Sequence, residues 1–429
     1  MNRCAQTREG RLSRAVMRPP VRASVLVVFA WACAGCDEVP VIPEEWRFGE
    51  SEVIWQQNDR DIRGVFIVEA MGGRTFAFIN AVGTDGQPAI WRSERTSTGW
   101  TPVEVLIRPL GATQERVEWS LSSPSPAVFT LVTRAEGTFV AVRPYEGMRW
   151  SDPRAVTTLQ EAVGMVRADL GVAFKNGQRR VHVLYTARGG NCPDGVQLRH
   201  RASRDLVSWG ETWDIVANPC SVRSLSLAVD PSAVGPIMAL WTGSVTGGNR
   251  DTQDVFVTRA PNAAMPEFDA PSTLQLQGNR GVQVVATSGG RFMAAWLRSI
   301  SLETDSPAQR AVFAAYDPQA GWARSDAVWF NSSTAPFLAS AGPSGAYVFS
   351  TENETDAARL VVRRWASERQ PVASFSPVRR PLGVPSWLRL EPAGDGSLHA
   401  VWVESPRETG VQRVHWVAGV RVNNSDAGR

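Results

Sequence analysis

An apolar run ending in an aromatic residue recurs along this chain roughly every 54 residues, and that interval restricts the fold more than any other feature. The clear copies are VHVLY ending at Tyr185, IMALW at Trp241, FMAAW at Trp296 and LHAVW at Trp402. Weaker copies are FAFIN at Asn80, AVFTL at Leu131 and AYVFS at Ser350, and successive copies lie 51, 54, 56, 55, 54 and 52 residues apart. A period of this length marks an array of one supersecondary unit that cannot bury its faces alone. An alternating strand such as 281–287 precedes each copy, and a small-residue turn such as Ser288-Gly289-Gly290 separates the two. A third strand, such as 311–316, comes next. A polar turn then leads into an aromatic and a short fourth strand, at Trp100, Trp150, Trp213, Phe268, Trp322 and Phe375. Four strands per repeat without helical periodicity read as blades of an all-β, seven-bladed β-propeller.

The chain ends support a closed ring. After Trp402 the seventh repeat has a third strand at 412–418 and then a polar tail, 423–429, with no fourth strand. Residues 47–55, RFGESEVIW, have the look of that missing strand, with Phe48 in the aromatic slot. Pairing them into the last blade removes the open edge that a sheet otherwise presents. The expected propeller spans 46–422 and leaves no second domain.

Met17 to Cys36 reads MRPPVRASVLVVFAWACAGC. Arg18 and Arg22, a short apolar run and small residues before Cys36 make a secretory signal too short to span a bilayer. Its end, Cys-Ala-Gly-Cys, resembles the bacterial lipobox, with Cys33 where that motif usually has Leu. The resemblance implies a signal peptide over 1–35, acylation of Cys36 and a tether over 36–45; an ordinary signal peptide cut nearby is the alternative. Residues 1–16 read as a pro-extension or an over-long start. The expected location is the bacterial cell envelope, lipid-anchored, with the face and the membrane left open.

The formal charge of +3 belongs to this segment. Without the six arginines and one acid of 1–35, the 45 basic and 42 acidic residues become 39 and 41. A near-neutral body gives no electrostatic case for nucleic acid. Arginine supplies all the basic residues but Lys175, as GC-rich coding would.

Ser203, Asp205, Gly210, Thr212 and Trp213 fall in the order of the Asp-box, Ser-x-Asp-x-Gly-x-Thr-Trp, with three extra residues between Asp205 and Gly210. This turn resembles those of the sialidase-like, BNR-repeat propellers, and SRDLVSW is similar to a stretch common in five-bladed glycosidases. The resemblance covers one turn well and the rest as loose periodicity. It implies the fold, because the box is a structural turn away from the family's active site.

Cys192 and Cys220 fall in loops expected on one propeller face, and export favours a disulfide between them, with two free thiols as the alternative. His182 and His399 share one slot of the repeat, and His200 and His415 both lie on third strands. Repetition argues for packing, and no metal-ligand spacing or cofactor motif appears. Arg63, Arg116, Arg167, Arg223 and Arg280 stand at the entries of the first strands of blades one to five. Converging at the axis, they would form an anion site, since a guanidinium pairs bidentately with a carboxylate; sialidases resemble this in holding a substrate carboxylate on inner-strand arginines. Period-two alternation could instead turn several of them outward or into salt bridges. Sialidase-like catalysis also needs an activated tyrosine, and Tyr145, Tyr185, Tyr316 and Tyr347 lie off the axis, while the Arg-Ile-Pro motif is absent. The expected function is a non-enzymatic, envelope-anchored propeller binding an acidic glycan, peptide or protein. A divergent glycosidase or lyase using Asp61, Asp169 and the arginines is the alternative class, and a scaffold without a small-molecule site is the third.

Overall fold

The computed structural model describes residues 46–421, apart from 59–60, 84, 108–112, 174–177, 190–194, 216–220, 232–234, 245–252, 277–278, 301–307, 326–333, 342–344, 354–357, 366–374, 380, 382 and 406–409. Cys36, Cys192 and Cys220 lie outside the described residues, as do the signal segment and the tether.

Seven antiparallel sheets form a ring, and within the first six the strands follow chain order from the axis outward. The axial strands are Ile62–Ala70, Gln114–Leu121, Ala162–Ala173, Ser221–Val229, Asn279–Ala286, Phe337–Ser340 and Val384–Pro392. Each touches the axial strand of the blade on either side, and the seventh returns to the first. The seven copies of the repeat are the second strands. Tyr185, Trp241, Trp296 and Trp402 are buried to 1% exposure or less, in clusters shared between neighbouring blades.

Closure is made at the N-terminus by two strands rather than one. Trp46–Phe48 and Glu52–Asn58 both pair antiparallel with Val411–Arg421, the third strand of blade 7. Trp46 packs edge-on against Tyr347 of blade 6, and Trp55 lies 5.1 Å from Trp91 of blade 1. The added strands therefore reach both neighbours of the blade they complete.

The third-to-fourth strand turn of blade 3 has the hydrogen bonding of an Asp-box but a different closing aromatic. Ser203 Oγ accepts from the Leu206 amide, and Asp205 Oδ1 accepts from the Val207 and Ser208 amides. Trp209 bridges back to Ser203 and packs on Phe129, whereas Trp213, the sequence match, is 38% exposed. The residues inserted in the motif move the packing indole four places earlier.

The entries to the axial strands break period-two alternation. In blade 1, Ile62 and Gly64 face consecutive partners, which leaves Arg63 as a bulge. Glu118 is the extra residue in blade 2, and Arg223 in blade 4. Blades 3, 5 and 7 carry wider irregularities between Ala162 and Val166, Arg280 and Gln283, and Ser386 and Arg389. A bulge bends its strand and re-aims the side chains around it, so these six set what the axis presents.

Candidate functional site

A cavity of about 530 Å3 opens between blades 1 and 2 at the end of the axis where the first strands begin. That volume falls within the range of small-ligand sites, about 300–1,000 Å3. Its outer wall includes Asn80 and Leu131, the two adjacent repeat copies without an aromatic. Asn80 works as a splint there: its Nδ2 donates to the Val117 carbonyl at 2.7 Å, and its Oδ1 accepts from the Val117 amide at 2.9 Å. The short side chains leave room where other blades place an indole or a phenol.

Three of the five arginines singled out in the sequence, Arg63, Arg116 and Arg167, line this cavity. Arg223 and Arg280 are exposed at the entries of blades 4 and 5 and do not line it. The three are held differently. Arg63 pairs with Asp61 at 2.7 Å and Arg116 with Glu118 at 2.5 Å, each across two residues of its own strand entry. Both are more than half exposed, so such pairs contribute little to stability. Arg167 is half-sealed inside: its Nη1 donates to the Val166 and Glu118 carbonyls, and the Glu118 carboxylate stands 3.8 Å away.

A fourth arginine, Arg389 on the axial strand of blade 7, completes the cavity and was not among the sequence candidates. Its guanidinium lies over the rings of Phe66, Phe337 and Trp119, at 5.1, 5.1 and 5.7 Å from their centroids. Arg167 covers Trp119 as well, at 4.8 Å. Burial, then repulsion from Arg167, pushes Arg389 down to about 9, with Glu118 opposing the shift; burial likewise lowers Arg167. At about 9, Arg389 stays charged at neutral pH. No carboxylate of the described residues forms an ion pair with Arg389. Arg116, Arg167 and Arg389 thus surround a single carboxylate, Glu118, in a partly desolvated pocket, where unbalanced charge is costly.

The cavity carboxylates are both engaged. Glu115 is buried, accepts from Thr130 Oγ1 at 2.9 Å and pairs with Arg143 at 3.3 Å. No histidine or tyrosine is among the lining residues. The acids expected to support an enzyme do not assemble: Asp61 is taken up by Arg63, and Asp169 faces the opposite end of the axis. There it shares a cavity of about 300 Å3 with Glu391. Burial raises Asp169 to about 6 and Glu391 to about 7, the latter also pushed up by Glu69 and Asp169. Asp169 accepts from the amides of Leu170 and Val229, and Glu69 from the amide of Gly394, so Asp169 ties blade 3 to blade 4 and Glu69 ties blade 1 to blade 7.

The histidines are packed. His182 and His200 stack at 5.2 Å in blade 3, and His415 stacks on Trp402 at 5.1 Å. Among the described residues no three His, Cys, Asp or Glu side chains gather as a metal site would require.

No protein-family model matches the chain, and no curated protein matches it. Solved structures do match. An ulvan lyase, a polysaccharide lyase bound to -[GlcA(1-4)Rha3S]-, superposes with a TM-score of 0.52 at 11% identity, over 84% of this chain and 95% of the lyase. An α-L-arabinanase of Penicillium chrysogenum gives 0.45 at 11% identity, over 87% and 99%. A sialidase of Streptococcus pneumoniae gives 0.44 at 10%, over 86% and 70%. The chain is a seven-bladed β-propeller whose fold is similar to that of the lyase. Identities this low concern architecture alone, and the chemistry of this propeller rests on its own side chains.

Arg389, Glu118 and Trp387, which also lines the cavity, were not among the sequence candidates. The available signal was PSWLRLEP, in which a tryptophan and an arginine stand two places apart on the seventh first strand.

Proposed function

We propose that this propeller is a non-catalytic binding module for an anionic ligand, foremost an acidic glycan, held at the axial cavity by Arg167 and Arg389. The observation that carries the reading is two guanidiniums on the axis sharing one distant carboxylate. An entering carboxylate or sulfate supplies the missing counter-charge and accepts the paired N–H groups of a guanidinium. The ulvan lyase saccharide, with a uronate and a sulfate ester, is a ligand of that chemistry on a similar fold. Binding is favoured over turnover because Glu115 and Glu118 are already engaged by arginines and no other acid–base group lines the cavity.

The test is the double variant Arg167→Gln with Arg389→Gln, titrated with oligogalacturonate by calorimetry. The parent protein is expected to bind, more weakly as salt rises. The variant is expected to lose at least tenfold in affinity, and an unchanged affinity would dispose of the site.

We also propose that acylated Cys36 tethers the propeller to the cell envelope, which rests on the signal and lipobox pattern of 17–36. Intact mass of the envelope form is expected to correspond to a chain starting at acylated Cys36. Cys36→Ala is expected to abolish lipid labelling, and a mature chain without acyl mass would overturn the tether.

A further inference from the structure

We infer that Trp387 is a stacking platform for a pyranose ring, so that the ligand of the cavity is a uronic-acid-bearing sugar rather than an acidic peptide. The inference rests on the anion-site reading above and adds the ring to the charge.

Trp387 is 43% exposed on the cavity wall, an unusual position for the largest apolar side chain on an axial strand. Its backbone has φ of 53°, the left-handed region that a bulky residue adopts only when its surroundings enforce it. The enforcing feature is the bulge of blade 7, where two residues, Trp387 and Leu388, stand opposite Trp402. Leu388 takes the buried position at 4% exposure, and Trp387 is turned out towards the cavity. Backbone strain of this kind collects at ligand sites, where the rest of the fold sustains it. Regular pairing would avoid the strain, so the exposed indole is the unusual product of this segment.

The bulge also sets the relation between the indole and the charge. Arg389 follows Trp387 by two residues, and both line the same cavity, one with an exposed ring and one with a guanidinium lacking an ion pair. A pyranose uronate presents the matching pair. Its C–H face is flat and apolar enough to lie on an indole, and its carboxylate projects from the ring edge in a fixed direction. An aspartyl or glutamyl peptide offers the carboxylate on a rotatable stem without such a face, and a neutral sugar offers the face alone. A rigid ligand also loses less freedom on binding than a flexible one of equal charge.

Three probes separate these cases: a tetrasaccharide alternating glucuronate with a neutral sugar, the same tetrasaccharide with its carboxylates reduced to alcohols, and tetraglutamate. The parent protein is expected to bind the uronate tetrasaccharide at least tenfold more tightly than either of the others. Trp387→Ala is expected to weaken the uronate tetrasaccharide at least tenfold and to leave tetraglutamate within twofold. Trp387→Phe, which keeps an aromatic face, is expected to recover most of the loss. Trp387→Gly suits the left-handed backbone, so it separates loss of the ring from misfolding: binding falls as in the alanine variant while the melting temperature holds or rises. If tetraglutamate binds as tightly as the sugar, or if Trp387→Ala changes neither, the stacking inference is wrong while the anion site stands. If the Arg167 and Arg389 double variant binds all three probes as the parent does, the anion site itself is wrong and this inference falls with it.

Discussion

At the scale of single residues, burial in this propeller is paired with neutralisation or with an unmet charge, and the histidines show the first case. His182 and His200 share one hydrogen bond, Nδ1 to Nε2 at 3.1 Å, inside blade 3. Burial is the largest cause holding both neutral: His200 is lowered to about 3 with Arg180 contributing, and His182 falls well below its ordinary value with His200 and Arg180 contributing. Folded, the pair resists protonation; unfolded, both rings titrate near 6.5. As pH falls through about 6.5 the unfolded chain takes up protons the folded one refuses, so stability is lost progressively towards acid. Asp169 and Glu391 act in the opposite sense, because a raised carboxyl stabilises the folded state as it protonates. The comparison must therefore be made against the parent. Replacing both histidines with glutamine keeps an amide hydrogen bond and removes the titration. The double variant is expected to lose less melting temperature than the parent between pH 6.5 and pH 4. Equal losses in both proteins would show that the pair is not the source.

At the scale of elements, the sequence disclosed the strands and the ring but not what the axis carries. The repeat is set by packing between blades, and packing writes itself into the sequence as regularly spaced aromatics. The site is set by bulges, and a bulge leaves no residue type behind it. Arg63, Glu118 and Arg223 are bulged residues, so counting alternate positions from the strand entry assigns their directions wrongly. Arg223 and Arg280 belong to blades 4 and 5, away from a cavity that opens between blades 1 and 2, and Asp169 lies well along the strand Ala162–Ala173, at the opposite mouth. The weak repeat copies held more information than the strong ones: Asn80 and Leu131 sit side by side where the cavity opens. Asn80 bonds the blade 2 backbone in place of an aromatic contact, so its loss should act between blades. Asn80→Ala strands a buried amide and a buried carbonyl of Val117 and is expected to cost about 1–3 kcal/mol. Chemical denaturation measures it, and a cost below about 0.5 kcal/mol would mean that water replaces the amide.

At the scale of the whole molecule, a ring of blades is stable only if its last sheet is complete, because each blade buries its faces against both neighbours. Here the first strands of the chain complete the last blade. Trp46 and Ile54 are each 7% exposed, and Glu52 meets Arg95 of blade 1 at 2.8 Å, with Arg95 lying 4.9 Å over Trp416. The strands within 46–58 thus connect blades 6, 7 and 1. Two truncations test this connection. A chain beginning at Glu45 keeps both closing strands and is expected to unfold in one cooperative transition, at the melting temperature of the chain that begins at Cys36. A chain beginning at Asp61 leaves the outer edge of 411–421 open and uncovers Trp416, so it is expected to melt at least 10 °C lower and to self-associate through the bare edge. Light scattering during a thermal scan reads both effects. A monomeric Asp61 chain with the parent's melting temperature would show that the C-terminal strand closes the ring unaided.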